Sequence, residues 1–233
     1  MVHPARIIAV EGSEKQGRFW SFVRFSEQDF PQGGFLRLIV GVSGASGSLY
    51  GYRLLERLRP MADVETHLIL TRSAEKTAHM EIGKSSADFK ALADHSYPLE
   101  DIGSKLASGS FITHGMVVAP CSIHSMSAIA SGVSSNLLLR AADVCLKERR
   151  RLILMVRETP LHIGHLRTMV SLTEMGAIIL PPVPGFYHHP QTIIDLVDHT
   201  LDRVLDLLNL PVDDARRWDG GESARRPNKT GKP

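Results

Sequence analysis

The sequence predicts a doubly wound α/β fold, a parallel sheet with helices on both faces, and two observations carry that expectation. Short runs that are apolar throughout alternate along the chain with segments of helical spacing, and the first such run ends in a glycine-rich turn, 41–47 (GVSGASG). A strand with no polar side is buried on both faces, and a parallel sheet meets that condition by carrying helices above and below.

The elements follow in order. Residues 1–34 mix polar, aromatic and charged types without sustained periodicity and end in Pro31-Gln32-Gly33-Gly34, so they read as a flexible extension outside the core. Residues 36–40 form a short apolar strand, and Leu49, Leu54, Leu55 and Leu58 then recur at helical spacing. The same alternation predicts a strand over 64–71 with a helix after it, a strand over 116–119 with a helix over 123–131, and a strand over 152–156 with a helix over 166–175. A last strand falls at 177–180, and after the proline-rich loop 181–190 a closing amphipathic helix spans 193–208. Together these describe one domain over 35–218, a three-layer sandwich of the Rossmann or flavodoxin type, followed by a disordered tail over 219–233 (DGGESARRPNKTGKP). No internal repeat is present.

Composition narrows the function classes. In 233 residues, Lys plus Arg number 27 against 25 Asp plus Glu, so the net charge of +2 gives no bulk argument for nucleic acid or membrane binding. Two cysteines, Cys121 and Cys145, lie in apolar stretches, which suits a reducing compartment better than a disulfide framework. No apolar run approaches the roughly 20 residues of a bilayer span, and residues 1–35 lack the apolar stretch of a signal peptide. A cytoplasmic location is expected.

The glycine-rich turn is the first candidate site, because ligands of doubly wound sheets sit beyond the carboxyl ends of the strands. Gly41, Gly44 and Gly47 match neither the dinucleotide nor the P-loop pattern. Glycines let backbone approach a ligand, and the hydroxyls of Ser43 and Ser46 with the helix-start amides can donate to an anion such as the phosphate of FMN. The plainer alternative makes Ser46 a helix N-cap and the glycines mere turn formers. A second turn, Pro120-Cys121-Ser122-Ile123-His124-Ser125, again links an apolar strand to a helix and could flank the same ligand. Cys121 reads as a small buried thiol rather than a nucleophile. The densest charge lies at 140–151, where Arg140 and Lys147 are seven apart and share a helix face, and Arg157-Glu158 follows the next strand. These cations could clamp a phosphate, or they form a solvated face, although burial at the strand end would favour the clamp. His162, His165, His188 and His189 match no recognised metal pattern, and no metal is expected.

Taken together, 44–47 (GASG), 107–110 (ASGS), 120–122 (PCS), 140–150 (RAADVCLKERR), 157–161 (RETPL), 181–187 (PPVPGFY) and 217–218 (RW) closely resemble the flavin prenyltransferases, long described as aromatic acid decarboxylase subunits. The resemblance runs from about residue 36 to 218 with every motif in order. It implies a metal-independent enzyme that joins a dimethylallyl group from dimethylallyl phosphate to reduced FMN, making prenylated FMN for a UbiD-like partner decarboxylase. It also implies a homo-oligomer, a dodecamer.

Carried across residue by residue, the resemblance implies a flavin site of Gly44, Ala45, Ser46, Thr71, Ser122, Ile123, His124, Ser125 and Arg140. It assigns the prenyl phosphate to Lys147, Arg157, Glu158, Tyr187 and Arg203, and the prenyl pocket to Trp218. Ser46, Glu81 and Glu158 are the implied proton-handling residues. Thr71 stands where serine is common, and residues 1–34 have no counterpart. Two alternatives stay open from the residues alone: a flavin-dependent decarboxylase, and a non-catalytic flavin-carrying subunit.

Overall fold

The computed structural model describes residues 7–14, 17–24 and 35–210; Trp218 and the tail read over 219–233 lie outside them. The chain separates into two compact units, Met1–Val183 and Pro184–Pro233, where the sequence reading carried one domain from 35 to 218. Within the amino-terminal extension, β1 (Ile7–Glu14) and β2 (Gly17–Arg24) pair antiparallel, with Ile7 opposite Arg24. The irregular residue mixture there gives no period-2 signal announcing this ladder.

The main sheet holds β3 (Leu36–Val42), β4 (Val64–Leu70), β5 (His95–Tyr97), β6 (Gly115–Cys121), β7 (Arg151–Val156) and β8 (Ile178–Ile179). All pairings are parallel and the order is β5-β4-β3-β6-β7-β8. The chain starts at the centre, winds outward to β5, then returns beside β3 and winds the other way, which is the Rossmann order. The switch point is therefore the β3/β6 boundary, and both glycine- or serine-rich turns leave the sheet there. β5 escaped the sequence reading because His-Ser-Tyr is polar and exposed at an edge, without the apolar run that marks the inner strands.

α1 (Ser48–Leu58) and α2 (Arg72–Ile82) pack together over one face, while α4 (Ile123–Ala130), α5 (Leu137–Lys147) and α6 (Ile163–Glu174) cover the other. A five-residue α3 (Ser86–Lys90) precedes β5. Leu54, Leu55 and Leu58 of α1 are fully buried, and each such leucine contributes about 1.5–3 kcal/mol relative to exposure. On the opposite face Ile39, Met116, Val118, Leu152 and Leu154 meet Leu138, Ala141 and Cys145 of α5 in one cluster. In the second unit α7 (Ile193–Leu207) begins in a capping box, with Thr192 and Asp195 exchanging side-chain and backbone hydrogen bonds.

One close approach fixes how α1 lies on the sheet. A Cβ added at Gly51 would stand 2.3 Å from the Ala119 carbonyl oxygen, so only glycine lets the helix come this near β6. Gly51→Ala is expected to lower unfolding stability by about 1–3 kcal/mol through overpacking; urea unfolding of both proteins checks it.

The α5 face of the sheet also buries a polar group near the strands' amino ends. His67 is fully buried, with Nδ1 3.0 Å from the Tyr97 hydroxyl. Burial pushes its pKa down to about 4 from 6.5, with nearby Lys105, His95 and Arg37 lowering it further and Glu65 opposing. Between those values the unfolded chain binds a proton that the folded chain refuses, so stability falls as pH drops through this window and levels off below it. The expected loss is about 3 kcal/mol, seen as a steeper pH dependence than in His67→Gln by chemical unfolding at pH 7, 6, 5 and 4.

Candidate active site

The two turns at the switch point are tied to each other through Ser43. Its buried hydroxyl donates to the Pro120 carbonyl at 2.9 Å and accepts from the Ser122 amide at 2.7 Å, while its own amide donates to Pro120 at 3.2 Å. With both lone-pair and proton functions engaged, Ser43 holds the turns together and is not left to donate to a ligand anion, as the sequence reading had allowed.

The first turn also differs from the expectation. The N-cap of α1 is Gly47, at φ 101° and without a side-chain cap, rather than Ser46. The capping role falls to Glu81 of α2, whose Oε2 accepts from the Gly47 and Ser48 amides at 2.9 Å each. Those two amides, proposed from sequence as phosphate donors, are thus filled by a carboxylate of the same chain. Partial burial alone would raise the Glu81 pKa, but hydrogen bonds from the Ser46 hydroxyl and the Ser48 and Gly47 amides outweigh it and hold it below the usual glutamate range. Glu81 is therefore ionised at neutral pH and accepts a hydrogen bond from the exposed Ser46 hydroxyl. Gly44 is required by packing, since a Cβ there would lie 2.4 Å from the Ser73 side chain.

The second turn retains its donors. Ser122 caps α4, its hydroxyl accepting from the Ser125 amide at 3.2 Å and donating to the Ser125 hydroxyl at 3.1 Å. The amides of Ile123 and His124 head the helix, where no intrahelical acceptor exists. Thr71 caps α2, accepting from the Ala74 amide at 3.1 Å, which leaves its hydroxyl proton for a further acceptor. Cys121 is fully buried and burial pushes its thiol up to about 12, so it is not a nucleophile at neutral pH.

Cations gather on the segment 107–110 from α5, as their seven-residue spacing predicts. Arg140 Nε donates to the Ala107 carbonyl at 3.2 Å and its Nη1 pairs with Asp143. Lys147 pairs with Glu148, and a Cβ at Gly109 would fall 2.8 Å from Lys147 Nζ and clash with the Glu148 carboxylate. Glycine at 109 is what admits this ion pair. Arg150, in the same motif, is structural: its Nη1 donates to the Phe111 carbonyl at 2.9 Å and its Nη2 to the Gly109 carbonyl.

Arg157 follows β7, and its amide donates to the Cys121 carbonyl at 3.1 Å, so it starts beside the second turn. Its side chain is exposed, as is that of Glu158, which accepts from the Thr159 amide at 3.0 Å. The burial that would have favoured the clamp from sequence is absent, because the strand ends at Val156 and both side chains emerge exposed at the sheet's carboxyl edge. In the second unit, the Tyr187 hydroxyl lies 3.0 Å from His199 Nε2, and Arg203 Nη1 donates to Asp206 at 3.0 Å. The His162 and His165 rings lie 3.6 Å apart between centroids, tilted by 31°, and they form no metal-ligand cluster among the described residues.

A carboxyl-edge site at the switch point of this sheet, with hydroxyl-capped helix starts and the exposed Arg157 beside the second turn, defines a nucleotide-cofactor protein of the doubly wound class. The Flavoprotein family matches residues 32–204. The chain is 51% identical over 187 residues to the flavin prenyltransferase UbiX of Thauera aromatica, covering 80% of this chain and 96% of that one. Among solved structures it is similar to a dodecameric FMN-dependent UbiX-like decarboxylase from Escherichia coli O157:H7, at TM-score 0.78 and 46% identity over 79% of this chain and 100% of the other. It is equally similar to AnUbiX (PadA1) in complex with FMN and dimethylallyl pyrophosphate, at TM-score 0.78 and 44% identity over 80% of this chain and 98% of that one. The chain belongs to the flavin prenyltransferase family.

Proposed function

We propose that this protein joins the dimethylallyl group of dimethylallyl phosphate to reduced FMN, without a metal, and that the prenylated FMN serves a UbiD-like decarboxylase. The observation that carries the reading is Arg157. It is hydrogen-bonded through its backbone to Cys121, beside the Ser122–Ser125 turn, and its exposed guanidinium is unpaired among the described residues. A flavin site alone does not need a free cation there, whereas a departing phosphate does.

The donor set fits FMN. Free helix-start amides at Ile123 and His124, the hydroxyls of Ser125 and Thr71, and the guanidinium of Arg140 would hold it, with Gly44, Ala45 and Ser46 forming the opposing turn and Ser122, whose hydroxyl is spent on Ser125, shaping the second. When bound in reduced form, FMN supplies the nucleophilic N5 to which the prenyl group is joined. Lys147 and Arg157 neutralise the negative charge that grows on the allylic phosphate as its bond breaks, the kind of electrostatic assistance that needs no metal. The resemblance adds Tyr187, Arg203 and Glu158 to that phosphate and Trp218 to the prenyl pocket. The ionised Glu81 draws the proton of Ser46 Oγ, making that oxygen the acceptor for a proton released in the reaction.

The assembly belongs to the same proposal. α6 presents Ile163, Leu166 and Val170 to solvent along one face, with Ile163 62% exposed, and a stripe of this size suits a contact between copies of the chain. A dodecamer is the expected state, and light scattering reporting a monomer at micromolar concentration would remove it. No helix among the described residues is long and apolar enough to cross a membrane; together with the two buried free thiols, this supports operation in the cytoplasm.

Mass spectrometry of the flavin after incubation with reduced FMN, dimethylallyl phosphate and a chelator tests the function. A flavin heavier by one prenyl unit is expected, and a parallel reaction with dimethylallyl pyrophosphate decides which donor is used. With a hydroxybenzoate or cinnamate in place of the donor, no carbon dioxide should appear until a separate decarboxylase is added. Carbon dioxide from the chain alone would replace the transferase reading with the decarboxylase one.

A further inference from the structure

We propose that Glu65, His67 and His95 form a binding site for a divalent transition metal of the zinc class, near the amino ends of β4 and β5 and away from the carboxyl-edge active site. One ligand atom from each residue lies within 4.8 Å of the other two. Glu65 and His67 are two apart on β4 and so project to the same face, and His95 is the parallel partner of His67 on β5. Sheet register, rather than a sequence motif, brings the three together.

The local geometry is that of a ligand set. Both Nε2 atoms converge on one carboxylate oxygen: Glu65 Oε1 is 3.3 Å from His67 and 2.9 Å from His95. The two rings stack at 4.9 Å between centroids and 14° between planes. The second Glu65 oxygen is held by Arg37 Nε at 3.3 Å, leaving Oε1 for the site.

The independent observation is His67 itself. Its side chain is fully buried, yet Nε2 has no hydrogen-bond partner of proper geometry. Its other nitrogen lies 3.0 Å from the Tyr97 hydroxyl, and when it donates there Nε2 carries the free lone pair that a metal requires. Without a cation, that tautomer would set a lone pair against a carboxylate. With one, nitrogen, nitrogen and oxygen supply three of the four positions of a tetrahedral zinc site. His95 is 45% exposed, so the fourth position opens toward water. Arg37 and Lys105 stand close enough to weaken cation binding, and the site's role is to fasten the edge strand β5 to β4.

The test uses the full chain stripped with chelator and titrated with Zn²⁺ against a competing chelating dye, then with Co²⁺ to read coordination from its visible absorption. One equivalent per chain with a tetrahedral Co²⁺ spectrum is expected, together with a raised thermal midpoint. His95→Ala, at an exposed edge position, and Glu65→Gln should each weaken binding at least tenfold, whereas His162→Ala/His165→Ala should leave it unchanged. Prenyl transfer in chelator should match that of the zinc-loaded protein. Absence of a stoichiometric site, binding unaffected by His95→Ala, or loss of binding in the His162/His165 variant would each overturn the proposal.

Discussion

Arg157→Ala and Lys147→Ala are expected to lose prenyl transfer about a hundredfold to a thousandfold, roughly 2.7–4 kcal/mol in the transition state, while still binding FMN. The two cations are not equivalent in the structure. Lys147 is paired with Glu148, so part of its charge is already offset, whereas Arg157 has no such partner among the described residues. Arg157→Ala should therefore be the more damaging, and Glu148→Gln should leave transfer intact or raise it by freeing Lys147. Flavin fluorescence gives FMN affinity and mass spectrometry gives the transfer rate from the same preparations. Parallel loss of flavin and of transfer would show that these residues hold the cofactor and not the leaving group.

Glu81→Gln is expected to reduce turnover about a hundredfold or more, the range for removing a positioned proton acceptor. The amide keeps an oxygen to accept from Gly47 or Ser48, so the fold should lose only about 1 kcal/mol from the missing charge at the α1 start. Glu81→Ala removes both functions and should cost more in stability with no further loss of rate. The pH profile distinguishes proton handling from positioning. Because hydrogen bonds hold the Glu81 carboxyl below its ordinary range, wild-type activity should persist on the acid side until that group protonates. That limb should vanish in Glu81→Gln, and its survival there would assign the limb to another group. Ser46→Ala should reproduce the rate loss without the change in stability, since Ser46 is exposed and does not cap α1.

The strands β3, β4, β6 and β7 and the helices beside them were legible because burial on both faces writes predominantly apolar runs into local sequence, interrupted in β4 by Glu65, Thr66 and His67. Their β5 neighbour was not, being three residues of polar edge. The same division runs through the site. The second turn announced itself as strand, serine and helix in immediate succession, and there Ser122 caps α4. Ser43 looked like a ligand donor but is a staple, because its partners Pro120 and Ser122 lie 77 and 79 residues away.

By itself the sequence determined the doubly wound class, the two turns at one sheet edge and, through its ordered motifs, the family. Each of these is carried by residues near one another in the chain, where period and spacing are readable. Only the tertiary structure decided that the Glu81 carboxylate fills the α1 start, 34 residues from Gly47, and that Gly109 makes room for Lys147 and Glu148. Only it brought Glu65, His67 and His95 into one cluster. Those choices depend on strand order and register, which set distant side chains within hydrogen-bond reach and leave no periodic trace in the sequence.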